Sequence, residues 1–114
     1  MRTFKIAALD KPISVMGMGT MIFHPDTQER DNSLLDAFVE GGGTYIDTAE
    51  VYGNGDSETK IGEAMQFMER DKIFIVTKLG IDDEPDQQNL VERFNQCLER
   101  LQTDYVDALY CHGI

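Results

Sequence analysis

Four residues of this chain, Asp47, Tyr52, Lys78 and His112, are of types that hold charge or move protons, and they follow one another along short β-rich runs. Asp47 closes the run 44–47, Lys78 follows the run 73–77, and His112 follows Tyr110 and Cys111 at the end of a run that starts at Tyr105. Tyr52 sits five positions after Asp47, in a loop of Asp47-Thr48-Ala49-Glu50-Val51-Tyr52-Gly53-Asn54-Gly55-Asp56-Ser57-Glu58. A lysine that follows mostly apolar strand residues is costly to desolvate unless paired, and Asp47 is the obvious partner. Such a set is equipped for proton transfer beside a held positive charge. Taken singly the residues have simpler readings: Asp47 as a turn residue, Tyr52 as loop packing, His112 as a core histidine. Taken together they arrive at the same end of three successive strands, the end that carries active sites in parallel βα architectures.

The elements that would position them are strands over 15–21, 44–47, 73–77 and 105–110, alternating with three amphipathic helices. The helices show spacings of three and four: Leu34, Leu35, Phe38 and Val39; Ile61, Ala64, Met65 and Met68; Leu90, Val91, Phe94, Leu98 and Leu101. Gly41, Gly42 and Gly43 follow the first helix, where a left-handed residue ends a helix well. Asp56 or Ser57 is available to cap the second, and Pro85 and Asp86 mark the start of the third. Ahead of this rhythm, 2–6 and 12–15 form a hairpin turning near Asp10. Four strands and three helices fit either a small doubly wound sheet or the first half of an eight-stranded barrel. Gly17-Met18-Gly19 lacks the third glycine of a dinucleotide fingerprint and runs on as strand, which argues against a Rossmann phosphate loop.

The chain has 114 residues, a size for one domain over 1–114, and its formal net charge is -11. Such a surface repels phosphate backbones and anionic lipid, so neither nucleic acid nor membrane is expected as a partner. Asp10, Lys11 and Pro12 interrupt the only early apolar stretch, and no run approaches the roughly 20 apolar residues of a membrane span. The two cysteines, Cys97 and Cys111, read as free thiols, with no metal site, and place the chain in the cytoplasm.

Asp-Thr-Ala-x-x-Tyr-Gly followed by Ser-Glu, Thr77-Lys78 ending the next strand, and Asp104-Tyr105-Val106-Asp107 leading on to His112 resemble the aldo-keto reductases over nearly the whole chain. The resemblance implies an α/β fold, the N-terminal half of a TIM (β/α)8 barrel preceded by the short hairpin. It implies reduction of an aldehyde or ketone to an alcohol by hydride from NADPH, the family's commoner choice, or from NADH. Tyr52 would be the general acid, Lys78 held by Asp47 would stabilise the phenolate, and His112 would orient the small-molecule carbonyl substrate. Gly19, Thr20 and Asp47 match the segment beside the nicotinamide ribose, and Met21, Tyr52 and His112 the substrate side; ordinary strand packing accounts for Gly19, Thr20 and Met21 equally well. The His112-Gly113-Ile114 ending is similar to a branch in which a C-terminal iron-sulfur domain is common, for which these residues hold no cysteine set.

A whole barrel of this class takes about 250 residues. The family's grip on nicotinamide and adenosine phosphate comes from its later strands, so cofactor binding is expected to be impaired in residues 1–114, and these 114 residues by themselves are expected to be inactive. The chain is then a piece of a longer enzyme, one of two copies that pair into a barrel, or a non-catalytic reductase-like module that binds or self-associates through exposed strand edges.

Overall fold

The computed structural model describes residues 1–81 and 86–113, so Pro85 and Ile114 lie outside the described residues. A two-residue hairpin opens the chain, β1 (Thr3–Phe4) against β2 (Ile13–Ser14), antiparallel. Four parallel strands follow in the order β3 (Gly17–Gly19), β4 (Tyr45–Asp47), β5 (Phe74–Gly80) and β6 (Ala108–His112). Helices α1 (Gln28–Glu40), α2 (Asp56–Met65) and α3 (Gln87–Leu101) connect them in turn. This is the alternation expected of half a (β/α)8 barrel, with the hairpin outside it.

The period of two along each strand sorts the side chains into two cores. On the helix side Ile46, Ile73 and Ile75 pack with Leu35 and Phe38 of α1, Ile61 and Met65 of α2, Leu101 of α3, and Phe23. Each of the fully buried isoleucines there contributes about 1.5–3 kcal/mol of transfer free energy. On the opposite face Phe74 and Val76 pack with Ile13 of the hairpin, flanked by Leu9, Tyr45 and Ala108. The hairpin therefore plugs the N-terminal end of the sheet. It is tied there by Ser14 and Thr44, each hydroxyl accepting the other residue's backbone N–H at 2.9 Å.

Two glycines are dictated by close approach. The Tyr45 ring lies over Gly17, where a Cβ would come within 2.2 Å of Cδ1, and α2 crosses α3 so closely at Gly62 that a Cβ would meet Arg100 O at 2.3 Å.

Several boundaries differ from the sequence expectation. β3 is short, because Val15 N–H turns to Arg2 O and Phe23 N–H closes a turn on Thr20 O. β5 runs three residues beyond 73–77 and ends at Gly80, so Lys78 lies within the strand, on the face of Phe74 and Val76. β6 begins at Ala108, not Tyr105. Ahead of it the Asp107 side chain accepts Ile75 N–H at 2.8 Å, and Arg70 stacks its guanidinium 3.9 Å from the Tyr105 ring centroid. Helix α2 stops at Met65, leaving Met68 in the following turn, where it still packs on the core. Neither Asp56 nor Ser57 caps α2, whose N-cap is left-handed Gly55 with φ 99. Asp86 does cap α3, accepting Gln88 N–H, and Gly42 with φ 90 follows α1 as a left-handed residue.

Candidate active site

The parallel register sets the site. Gly19 is opposite Asp47, Asp47 opposite Val76, and two residues on Lys78 is opposite Tyr110 and Gly80 opposite His112. Residues two apart share a face, so Asp47, Lys78 and His112 all project from the face away from the helices, near the C-terminal strand ends. Tyr52 joins them from the turn Tyr52–Gly55, where Gly53, Asn54 and Gly55 all have positive φ (60, 53 and 99). That left-handed run reverses the chain sharply into α2, and at its last position a Cβ would come within 2.8 Å of Arg100 Cδ.

Lys78 is the hub. Its ammonium donates to Asp47 Oδ2 at 2.8 Å, to Thr48 O at 2.9 Å and to Tyr52 Oη at 3.3 Å. An ammonium has three donors, so this set satisfies it. Tyr52 Oη then accepts from Lys78, and its own proton is free for another acceptor. The His112 ring meets the Tyr52 ring edge-on, with centroids 5.7 Å apart. The Lys78 and Asp47 side chains keep 12% and 28% of their surface, enough shielding for the charge pair to be felt. Among the described residues Asp47 Oδ1 receives no hydrogen bond, which leaves a charged acceptor for an incoming hydroxyl.

The residues matched to the cofactor and substrate sides divide. Gly19 is exposed with open space where a Cβ would stand, and Met21 is 66% exposed. Thr20 is not brought to the surface: it is fully buried, its hydroxyl donating to Asp47 O at 2.9 Å and lying 2.7 Å from Ser57 Oγ. Its side chain shapes the site from behind.

Three features were not assigned from the sequence. Glu50, at a position the quoted motif leaves unspecified, accepts Gly80 N–H at 2.9 Å and pairs with Arg93 of α3, which also donates to Gly80 O at 2.8 Å. Burial works to raise the Glu50 pKa, but the Arg93 guanidinium and Gly80 N–H hold it below the usual carboxylate range. The loop bearing Tyr52 is thus fastened to β5 and α3. Behind the sheet, fully buried Glu58 accepts from Thr77 Oγ1 at 2.8 Å and Arg100 Nε at 2.9 Å. Ser57 lies among Thr20 and Thr48 rather than at a helix cap. The Ser-Glu pair was visible as part of the motif, but its partners are distant in sequence.

A model of the aldo/keto reductase family matches residues 15–114. The chain is 34% identical to the uncharacterised oxidoreductase YqkF of Bacillus subtilis over 122 aligned positions, covering 99% of this chain and 39% of that protein. The holo form of aldo-keto reductase AKR11C1 from Bacillus halodurans superposes with TM-score 0.86 at 30% identity, over 100% of this chain and 41% of that one. An aldo-keto reductase from Klebsiella pneumoniae in complex with NADPH gives 0.79 at 30% identity, over 89% and 36%. The chain spans about two-fifths of the length of these relatives. The sheet matches the corresponding part of their barrels, and the chain belongs to the aldo/keto reductase family.

Proposed function

We propose that this chain carries the proton-delivering half of a carbonyl reductase site, converting an aldehyde or ketone to an alcohol with NADPH, or NADH, as hydride source. The observation that carries the reading is the Lys78 ammonium, satisfied by Asp47, Thr48 and Tyr52, which leaves the Tyr52 proton for a substrate oxygen. When bound, a reduced nicotinamide supplies the hydride that goes to the carbonyl carbon. As negative charge grows on the carbonyl oxygen, Tyr52 Oη donates its proton there, and the Lys78 charge stabilises the phenolate left behind. His112 donates a hydrogen bond to the same oxygen and orients it. Solvent returns a proton to Tyr52 after the alcohol leaves.

The open surface at Gly19 and the unused Asp47 Oδ1 fit the ribose side of such a cofactor, with Met21 on the substrate rim. Its phosphates find less. Lys78, Arg93 and Arg100 are all engaged in ion pairs, and the net charge is -11, so affinity in this chain is weak. The test follows nicotinamide absorbance with aliphatic and aromatic aldehydes in a full-length enzyme carrying these residues, with identification of the alcohol. Alcohol formed in step with cofactor oxidation supports the reading; binding of both without turnover contradicts it. No helix among the described residues is long and apolar enough to cross a membrane. The free thiols of Cys97 and Cys111 support a reducing compartment, and we place the reaction in the cytoplasm.

A second reading, a reductase-like half-barrel that self-associates, is favoured by β6. Leu109 (44% exposed) and Tyr110 (50%) lie bare on opposite faces of this edge strand. Sedimentation equilibrium in moderate salt, where like-charge repulsion is screened, separates the two. A concentration-dependent dimer supports self-association, and a monomer at high concentration contradicts it.

A further inference from the structure

We infer that Ser57 is a positioning residue for Lys78, acting through a buried chain of hydroxyls that runs from Thr48 through Ser57 and Thr20 to the backbone of Asp47. The inference rests on the proposed reductase site for its meaning in catalysis, though the geometry stands without it. Ser57, Thr20 and Thr48 are all fully buried. Ser57 Oγ lies 2.8 Å from Thr48 Oγ1 and 2.7 Å from Thr20 Oγ1, and donates to Thr20 O at 3.0 Å. Thr20 Oγ1 donates to Asp47 O at 2.9 Å, beside the Thr20 N–H at 3.1 Å.

Each hydroxyl has one proton, and that fixes the direction of the chain. The Thr20 proton is spent on Asp47 O, so Thr20 accepts from Ser57. The Ser57 proton is shared between Thr20 Oγ1 and Thr20 O, so Ser57 accepts from Thr48. The chain is satisfied at every link, and hydrogen bonds in a dry interior reinforce one another.

Both ends of this chain lie on residues that hold Lys78. Asp47, whose carbonyl ends it, supplies the carboxylate at 2.8 Å, and Thr48, whose hydroxyl begins it, supplies the carbonyl at 2.9 Å. Thr48 N–H is also fixed to Val76 O at 2.9 Å. Ser57 stands in the first turn of α2, two residues past the turn that carries Tyr52. One side chain therefore ties the ends of β3 and β4 to the start of α2, beside the Asp47-Thr48 segment that holds Lys78 and the turn that carries Tyr52. Neither α2 capping nor apolar packing accounts for a serine here: Gly55 is the N-cap, and alanine would fill nearly the same space.

The test reads the Lys78 ammonium directly, by NMR hydrogen exchange of the isotope-labelled chain, with Lys78→Arg to assign the signal. The wild type should show a protected Lys78 ammonium. In Ser57→Ala and Thr48→Val, exchange should quicken about tenfold or more with the backbone amide spectrum still native, while Thr48→Ser, which keeps the hydroxyl, should stay at the wild-type rate. Thr59→Ala removes a hydroxyl that bonds Gly55 O at 3.0 Å in the same helix and should leave the rate unchanged. If Ser57→Ala fails to fold, the Thr48 pair decides.

An unprotected ammonium in the wild type, or wild-type exchange in Thr48→Val, would overturn the inference. In turnover of a full-length enzyme carrying these residues, Ser57→Ala should lower kcat about tenfold to a hundredfold with KM little changed, the cost expected of a misplaced catalytic group. Absence of wild-type turnover would sink the reductase reading instead, and leave the exchange measurement to judge Ser57.

Discussion

Lys78 Nζ reaches Asp47 Oδ2 at 2.8 Å across two neighbouring parallel strands, and no other carboxylate of the described residues pairs with it. The pair is partly buried, so it is worth more than a surface contact and its loss exposes each partner differently. A double-mutant cycle with Asp47→Ala and Lys78→Met should give a coupling of about 1–3 kcal/mol in urea denaturation. A coupling indistinguishable from zero would mean that the two charges do not hold each other.

Acid should loosen the loop that carries Tyr52. The folded-state pKa of Glu50 lies below its ordinary value of 4.5, where burial is outweighed by Arg93 and Gly80 N–H. Asp31 is lowered too: burial opposes ionisation, but His24 N–H, Thr27 and Arg30 outweigh it at the start of α1. A depressed carboxylate stabilises the fold above its unfolded pKa and loses that contribution as pH falls through the folded value. The stability gap between wild type and Glu50→Gln should therefore be open at neutral pH and shrink from about pH 5 to about pH 3. Urea midpoints across that range check it; a constant gap would contradict the latch.

Gly62→Ala sets two effects against each other. Alanine gains about 1 kcal/mol over glycine in a helix interior. Its Cβ, however, would lie 2.3 Å from Arg100 O and 2.8 Å from Leu101 C, and backbone cannot yield as a flexible side chain does. Overpacking of this kind costs about 1–3 kcal/mol, so the melting temperature should fall. A rise would show that α2 and α3 separate freely.

How much of this was legible in the sequence depends on the range of each interaction. Asp47, Tyr52, Lys78 and His112 could be found because strand periodicity and a short motif place them at the same end of the sheet. The end of β5 could not be seen, since its extension to Gly80 comes from pairing with His112 and from Glu50, neither local to it. Tyr105 has the composition of a strand residue, but cation stacking by Arg70 and the Asp107 side chain take over its neighbourhood. Ser57 has the local signature of a helix cap. Its real partners, Thr20 and Thr48, are brought to it only by the packing of β3, β4 and α2.

The two thiols should differ sharply. Burial, followed by the nearby Glu58, pushes the Cys97 pKa up to about 12, whereas Cys111 is exposed on β6. The thiolate is the reactive form, so an aromatic disulfide reagent should label Cys111 quickly and Cys97 only after unfolding in urea. Rapid labelling of both in the native chain would contradict the packing of α3.

The central claim is that Tyr52 hands its proton to a carbonyl oxygen under the charge of Lys78. It is tested most directly in a full-length enzyme carrying these residues, by comparing kcat/KM for nicotinamide-dependent aldehyde reduction in wild type, Tyr52→Phe and Tyr45→Phe, the last removing a neighbouring phenol of the same sheet face. Tyr52→Phe should lose about a hundredfold or more while Tyr45→Phe keeps most of the activity. Equal rates in wild type and Tyr52→Phe would contradict it.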